Sequence, residues 1–172
     1  MSPRILCLGL LVSVAAAVAQ NSSPRLRVTW KDTVITVRRG DHAIAIPMPE
    51  QIANYQANVK VLFIRQATDS LYVLFEIEGP SKEPGRENEY CGAGTERGIF
   101  LAEITSEWKL GRSQAVQTES CWNDVEENDR KYDVKLEILQ LDVSDYRQKV
   151  RRTLSYDNHL PQRGLQIQEH PF

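Results

Sequence analysis

The 172-residue sequence is poor in what several classes of function require. Basic residues are not in excess: 21 Lys and Arg stand against 23 Asp and Glu. The formal charge of −2 provides no positive field for gripping nucleic-acid phosphates, which excludes a nucleic-acid partner. Cysteine and histidine are scarce, at three each, and His42, His159 and His170 are scattered, with none at ligand spacing from a Cys. That pattern offers no metal site. A Gly-x-Ser-x-Gly elbow is missing, as is a free Cys with a His placed to approach it, so neither nucleophilic arrangement is written into the chain. No apolar run reaches the roughly 20 residues of a membrane span, no segment repeats, and no amphipathic helix exceeds two turns. What is present, 41% hydrophobic and 26% charged residues, is ordinary globular composition. The length suits one core better than two, because each half of a divided chain would bury too little apolar area to offset its entropy.

The first twenty residues read as an address. Met1-Ser2-Pro3-Arg4 leads into an apolar run, Ile5 to Val18, and the small triplet Ala17-Val18-Ala19 follows. A positive start, a short apolar centre and an Ala-x-Ala exit are the features of a secretory signal peptide cut after Ala19. The expected organisation is a signal peptide over 1–19 and a single β-rich domain over 20–172. The mature chain keeps 20 basic against 23 acidic residues, a charge of −3, and is exported to the periplasm or beyond. Cys7 leaves with the signal. Cys91 and Cys121 remain, and in an oxidising compartment they are expected to pair, closing a loop of about 30 residues worth about 3 to 4 kcal/mol. Asn21-Ser22-Ser23 is a glycosylation acceptor pattern in the N-terminal stretch.

Along the mature chain, β signals dominate. Leu26, Val28 and Trp30 alternate with polar residues, Lys31-Asp32 turns the chain, and Thr33 to Val37 is β-branched, which predicts a hairpin. Arg39-Gly40-Asp41 marks a turn into a strand over Ala43 to Ile46, ended by Pro47 and Pro49. Residues 50–58 have room for one helical turn. Strands are expected at Val59 to Arg65 and Leu71 to Glu78, the second with Leu71, Val73, Phe75 and Ile77 on one face and a half-wet face of Tyr72, Leu74, Glu76 and Glu78. Gly79 to Gly98, with its glycines, two prolines and many charges, reads as a long loop. Strand signals return at Ile99 to Trp108, Ser113 to Cys121, Tyr132 to Ile138, around Val150 to Tyr156, and at Gly164 to Gln168. A parity change at Ile138-Leu139 predicts a bulge or bend. These runs point to an all-β fold, an antiparallel β-sandwich or small barrel with one disulfide. An α+β fold with one short helix is the alternative.

The segment Tyr90-Cys91-Gly92-Ala93-Gly94-Thr95-Glu96, with the later Glu119-Ser120-Cys121-Trp122 and the ending Tyr156-Asp157-Asn158, Pro161 and Gly164, resembles a pattern in uncharacterised exported bacterial proteins. The resemblance implies a bacterial exported origin and a paired Cys91 and Cys121. It implies no activity, cofactor or catalytic residue.

Several motifs have bland readings that outweigh the functional ones. Gly92 to Gly98 looks superficially like a dinucleotide loop, but a strand follows it where a helix N-terminus is needed. Glu96 and Glu103, with Glu87, Glu89 and Glu119, are candidates for acid-base chemistry, yet nothing in the sequence fixes their spacing. Glu96, beside the expected disulfide, is the acid of most interest. Glu103 shares a strand face with Ile99 and Leu101, as a partly buried acid paired to an Arg or as the wet end of the strand. The run Asp124, Glu126, Glu127 and Asp129 lacks the spacing and central Gly of a calcium loop and reads as a solvated hairpin tip. Arg39-Gly40-Asp41 matches an adhesion tripeptide where a turn is needed in any case.

These readings assign no catalytic residue, metal or cofactor. They favour an exported, non-catalytic β domain that binds a protein or envelope partner through the disulfide-tethered 79–98 loop. Tyr90, Glu96 and Trp122 are its expected contact residues, because long loops in compact domains are commonly functional and aromatics anchor interfaces. An enzyme with acids assembled in a pocket near Glu96 is one rival. A structural envelope subunit pairing through an open sheet edge is the other.

Overall fold

The computed structural model describes residues 25–52, 58–81 and 94–172, and among them are eleven β-strands, two single-turn 3-10 helices and no α-helix. The strands form three antiparallel meanders. The first contains β1 (Arg27–Lys31), β2 (Val34–Arg39) and β3 (His42–Pro47). The second contains β4 (Asn58–Gln66), β5 (Ser70–Pro80), β6 (Thr95–Thr105) and β7 (Leu110–Glu119). The third contains β8 (Val125–Asp133), β9 (Ile138–Asp145), β10 (Val150–Asp157) and β11 (Gln166–Pro171). The antiparallel all-β expectation holds, and the structure has three sheets where a sandwich has two. Among the described residues the α+β alternative finds no helix beyond the 3-10 turns Glu50–Ile52 and Pro161–Arg163.

The second sheet is the middle layer. Side chains alternate across a strand, and here both faces are apolar. Leu71, Val73, Phe75 and Ile77 of β5 pack with Phe100, Ala102 and Ile104 of β6 against Ile35, Val37 and Ile46 of the first sheet. Tyr72, Leu74, Ile99 and Leu101, from the same two strands, pack against Leu139, Leu141, Val143, Leu154 and Tyr156 of the third. The face of β5 read as half wet is therefore covered: Tyr72, Leu74 and even Glu76 are buried, and Glu78 is half-buried. A bulge between Val61 and Phe63 moves β4 from one core to the other. Val59 belongs to the first core and Phe63 to the second, and the Leu62 carbonyl at the bulge accepts a hydrogen bond from Tyr132 Oη at 3.1 Å.

Turn chemistry fixes the meanders. Asp32, Trp108, Asp124, Glu137 and Lys149 all adopt positive φ, as does Gly40. The Arg39-Gly40-Asp41 tripeptide is thus the β2–β3 turn. At Gly98 a close approach demands glycine, since a Cβ there would strike Ile52 of the first 3-10 turn.

Three expected segments differ. The Tyr132 to Ile138 strand is cut in two, with β8 ending at Asp133 and β9 starting at Ile138. Asp133 Oδ1 accepts the N–H groups of Lys135 and Leu136 at 2.8 and 2.9 Å, and this side-chain turn overrides the alternation. The acidic run is no hairpin tip: Asp124 makes the β7–β8 turn, and Glu126, Glu127 and Asp129 lie in β8. The 79–98 loop is shorter than its composition indicates. Gly79 pairs with Glu96 and Pro80 with Thr95, so β5 and β6 extend into it from both ends.

Candidate functional site

Glu96 sits where β5, β6 and β7 end together. Register pairs it with Gly79, and its carboxylate is 1% exposed. Ser81 Oγ donates to Oε1 at 2.8 Å, the Cys121 N–H donates to Oε1 at 3.2 Å, and Gln117 Nε2 donates to Oε2 at 3.0 Å. The Ser81 N–H also donates to the Gly94 carbonyl at 3.0 Å. Ser81 is therefore fastened both to the buried acid and to Gly94 across the segment, and the acid is fastened to Cys121. A charged acceptor with several donors makes strong hydrogen bonds in a low-dielectric setting. Cys121 is disulfide-bonded; its expected partner, Cys91, and the expected contact residue Tyr90 lie outside the described residues, as do Glu87 and Glu89.

From Glu96 the hydrogen bonds run outward. Gln117 Oε1 accepts from Asn123 Nδ2 at 2.7 Å, and the Asn123 N–H donates to Ser120 Oγ at 3.0 Å. Trp122, between them, is half-buried with its carbonyl accepting from Arg147 Nη2 at 2.7 Å. Its indole N–H is buried without a hydrogen-bond partner among the described residues. Gln117 and Asn123 then form part of a cleft of about 530 Å³ between β7 and the third sheet, with Arg147, Gln148 and Ile167 on the far side. On its floor Arg152 joins Asp145 at 3.0 Å and Glu169 at 2.7 Å. Burial by itself lowers the Arg152 guanidinium, and its bonds to Glu169 and Asp145 outweigh that and hold it above its usual range.

Also between the middle and third sheets, Arg97 and Arg130 form ion pairs that join the two. Arg130 grips Glu127 through Nε and Nη2 at 2.7 and 2.8 Å, and its Nη1 lies 2.5 Å from the buried Glu76. Arg97 joins Glu119 at 2.8 Å, Glu78 at 3.4 Å and Glu76 at 3.7 Å. Glu127 above all, with Glu76, raises Arg130 against the lowering effect of burial. Four acids and two arginines here replace the apolar packing found deeper between the sheets. The sequence reading missed this network, although Glu76 falling in phase with Tyr72 and Leu74 was its available signal. Glu119 is thus an ion-pair partner of Arg97. Glu103, read as an acid paired to an Arg or as the wet end of its strand, is half-buried and held by hydroxyls, accepting from Ser70 Oγ at 2.8 Å and Tyr72 Oη at 3.2 Å.

Of the expected contact residues, Glu96 and Trp122 share one region, joined through Cys121. Thr95 to Gly98 lies in an antiparallel strand, which removes the geometry of a dinucleotide loop. Among the described residues no group of His, Cys, Asp and Glu is arranged to hold a metal ion, and no helix is long and apolar enough to cross a membrane. Compared with known proteins, the chain matches no protein-family model, no curated protein and no solved structure.

Proposed function

We propose that this is an exported, non-catalytic β domain that binds a protein or envelope partner. Its contact surface lies around the base of the 79–98 loop and the adjoining cleft, with Cys91 and Cys121 paired beneath it. The observation that carries the reading is Glu96. Its carboxylate is sealed from solvent and engaged by Ser81, Gln117 and Cys121, which suits a brace and leaves little of the acid for proton transfer to a substrate. A surface held in shape before binding loses less entropy on binding. The polar cleft beside it, rich in amides, offers paired donors and acceptors to a partner.

The test is a pull-down from envelope extracts with the mature protein, beside a folded Cys91→Ser/Cys121→Ser variant. A specific partner retained by the first and lost by the second supports a disulfide-anchored surface. A partner held equally by both counts against it.

A further inference from the structure

Resting on that reading of the cleft, we infer that its ligand is an extended peptide, added as a strand to the outer edge of β7 and carrying a carboxylate toward Arg147. Among the described residues β7 is an edge strand, paired to β6 alone. The Val116 carbonyl lies 3.1 Å from the Cβ position of Gly98, so it points at β6. Alternation then turns the N–H and C=O of Ala115 and Gln117 outward, into the cleft. Among the described residues the outward carbonyl of Ala115 accepts a side-chain hydrogen bond from Gln51 alone, at 3.5 Å, the limit of a hydrogen bond.

The first half of the same edge already receives main chain. Gln114 embraces Leu165 as a neighbouring strand would, accepting its N–H at 2.9 Å and donating to its carbonyl at 3.3 Å. Arg112 Nη2 donates to the Gln162 carbonyl at 2.6 Å. Gly164, with positive φ and no room for a Cβ beside Gln114, lets the chain come that close. Beyond Leu165 the chain turns into β11, and the cleft opens along Ala115 to Gln117. That stretch suits about three residues of strand, roughly 10 Å.

Charge and polarity narrow the occupant. The cleft is lined by the exposed Ile167 and by the edges of the buried Val116 and Val125, apolar surface for the alternate side chains of an added strand. Arg152 is neutralised by Asp145 and Glu169. Arg147 has no carboxylate partner among the described residues and spends one N–H on the Trp122 carbonyl. The occupant is therefore an extended segment with an apolar residue near an acid or a C-terminal carboxylate.

The experiment selects phage-displayed random octapeptides on the oxidised mature protein and follows the enriched peptide, synthesised, by calorimetry and by NMR hydrogen exchange. The expected result is enrichment of peptides with alternating apolar residues and an acid, and slowed exchange of the Ala115 and Gln117 amides on binding. Arg147→Glu lowers the affinity about tenfold or more, and Gln51→Ala preserves or raises it by freeing the Ala115 carbonyl. Binding with those two amides unprotected overturns strand addition while leaving the cleft as a binding site. No enrichment above a blank selection overturns the peptide ligand, and the pull-down then judges the broader reading separately. Protection of the same amides without peptide, together with a dimer in sedimentation, makes the occupant a second copy and also overturns the inference.

Discussion

Ser81 Oγ donates a 2.8 Å hydrogen bond to Glu96 Oε1, joining the last described residue before the 82–93 segment to the strand that follows it. Because Gln117 and Cys121 donate to the same carboxylate, the acid needs two accepting oxygens. Glu96→Gln replaces one with an NH₂ facing a donor. Gln117 cannot turn its amide to suit without losing Asn123. The variant is expected to lose about 1 to 3 kcal/mol in urea denaturation, as befits buried groups left unsatisfied, and Ser81→Ala to lose less.

The network around Glu76 gives a second expectation. Arg130→Met leaves a buried carboxylate short of its nearest cation, a change that costs about 3 to 5 kcal/mol for a buried pair, less the part screened by solvent at the half-buried Arg130. Combining it with Glu76→Leu removes the orphaned charge. A double-mutant cycle is expected to show the pair of substitutions far less costly than their sum.

Strand existence was legible in the sequence and strand surroundings were not. The alternation from Leu71 to Ile77 marks β5 correctly, yet the sequence places Glu76 on a wet face, because nothing local reveals that Arg97 and Arg130 arrive from other strands to pair with it. The Val134-Leu136-Ile138 alternation is equally regular, and Asp133 breaks it through two short hydrogen bonds to Lys135 and Leu136. Composition likewise mistakes Thr95 to Gly98 for loop, since Gly98 reads as a turn residue until the approach of Ile52 explains it. At the candidate site, Glu96 stood out by its nearness to a cysteine. Gln117, Asn123 and Arg147 did not, because amides and surface arginines carry no spacing signal.

Tyr156 lies in the second core, with Oη donating to Asn158 Oδ1 at 3.2 Å. Burial raises its phenol far above the ordinary value of about 10. The folded state therefore resists ionisation that the unfolded chain accepts. This contribution to stability is whole below about pH 10 and is lost as pH rises above it. Tyr72 and Tyr132 are raised in the same direction, burial again first. Tyr156→Phe is expected to flatten the alkaline limb of stability against pH while leaving neutral stability lower by about 1 kcal/mol.

Glu137 holds φ at +53° in the β8–β9 turn. Left-handed backbone costs a non-glycine residue about 1 to 2 kcal/mol. The carboxylate meets Arg65 and His159 at 3.6 Å, a long contact between partly exposed side chains, where such pairs are worth little. Glu137→Gly is expected to raise the midpoint of thermal unfolding, and Glu137→Val to lower it.

The contact surface itself is tested most directly by photo-crosslinking in the exporting cell. A benzophenone amino acid at Gln148, in the cleft, is compared with one at Val134, at the other end of β9. The account predicts a discrete adduct from position 148 and none from position 134. An adduct from position 134 with none from 148 contradicts it.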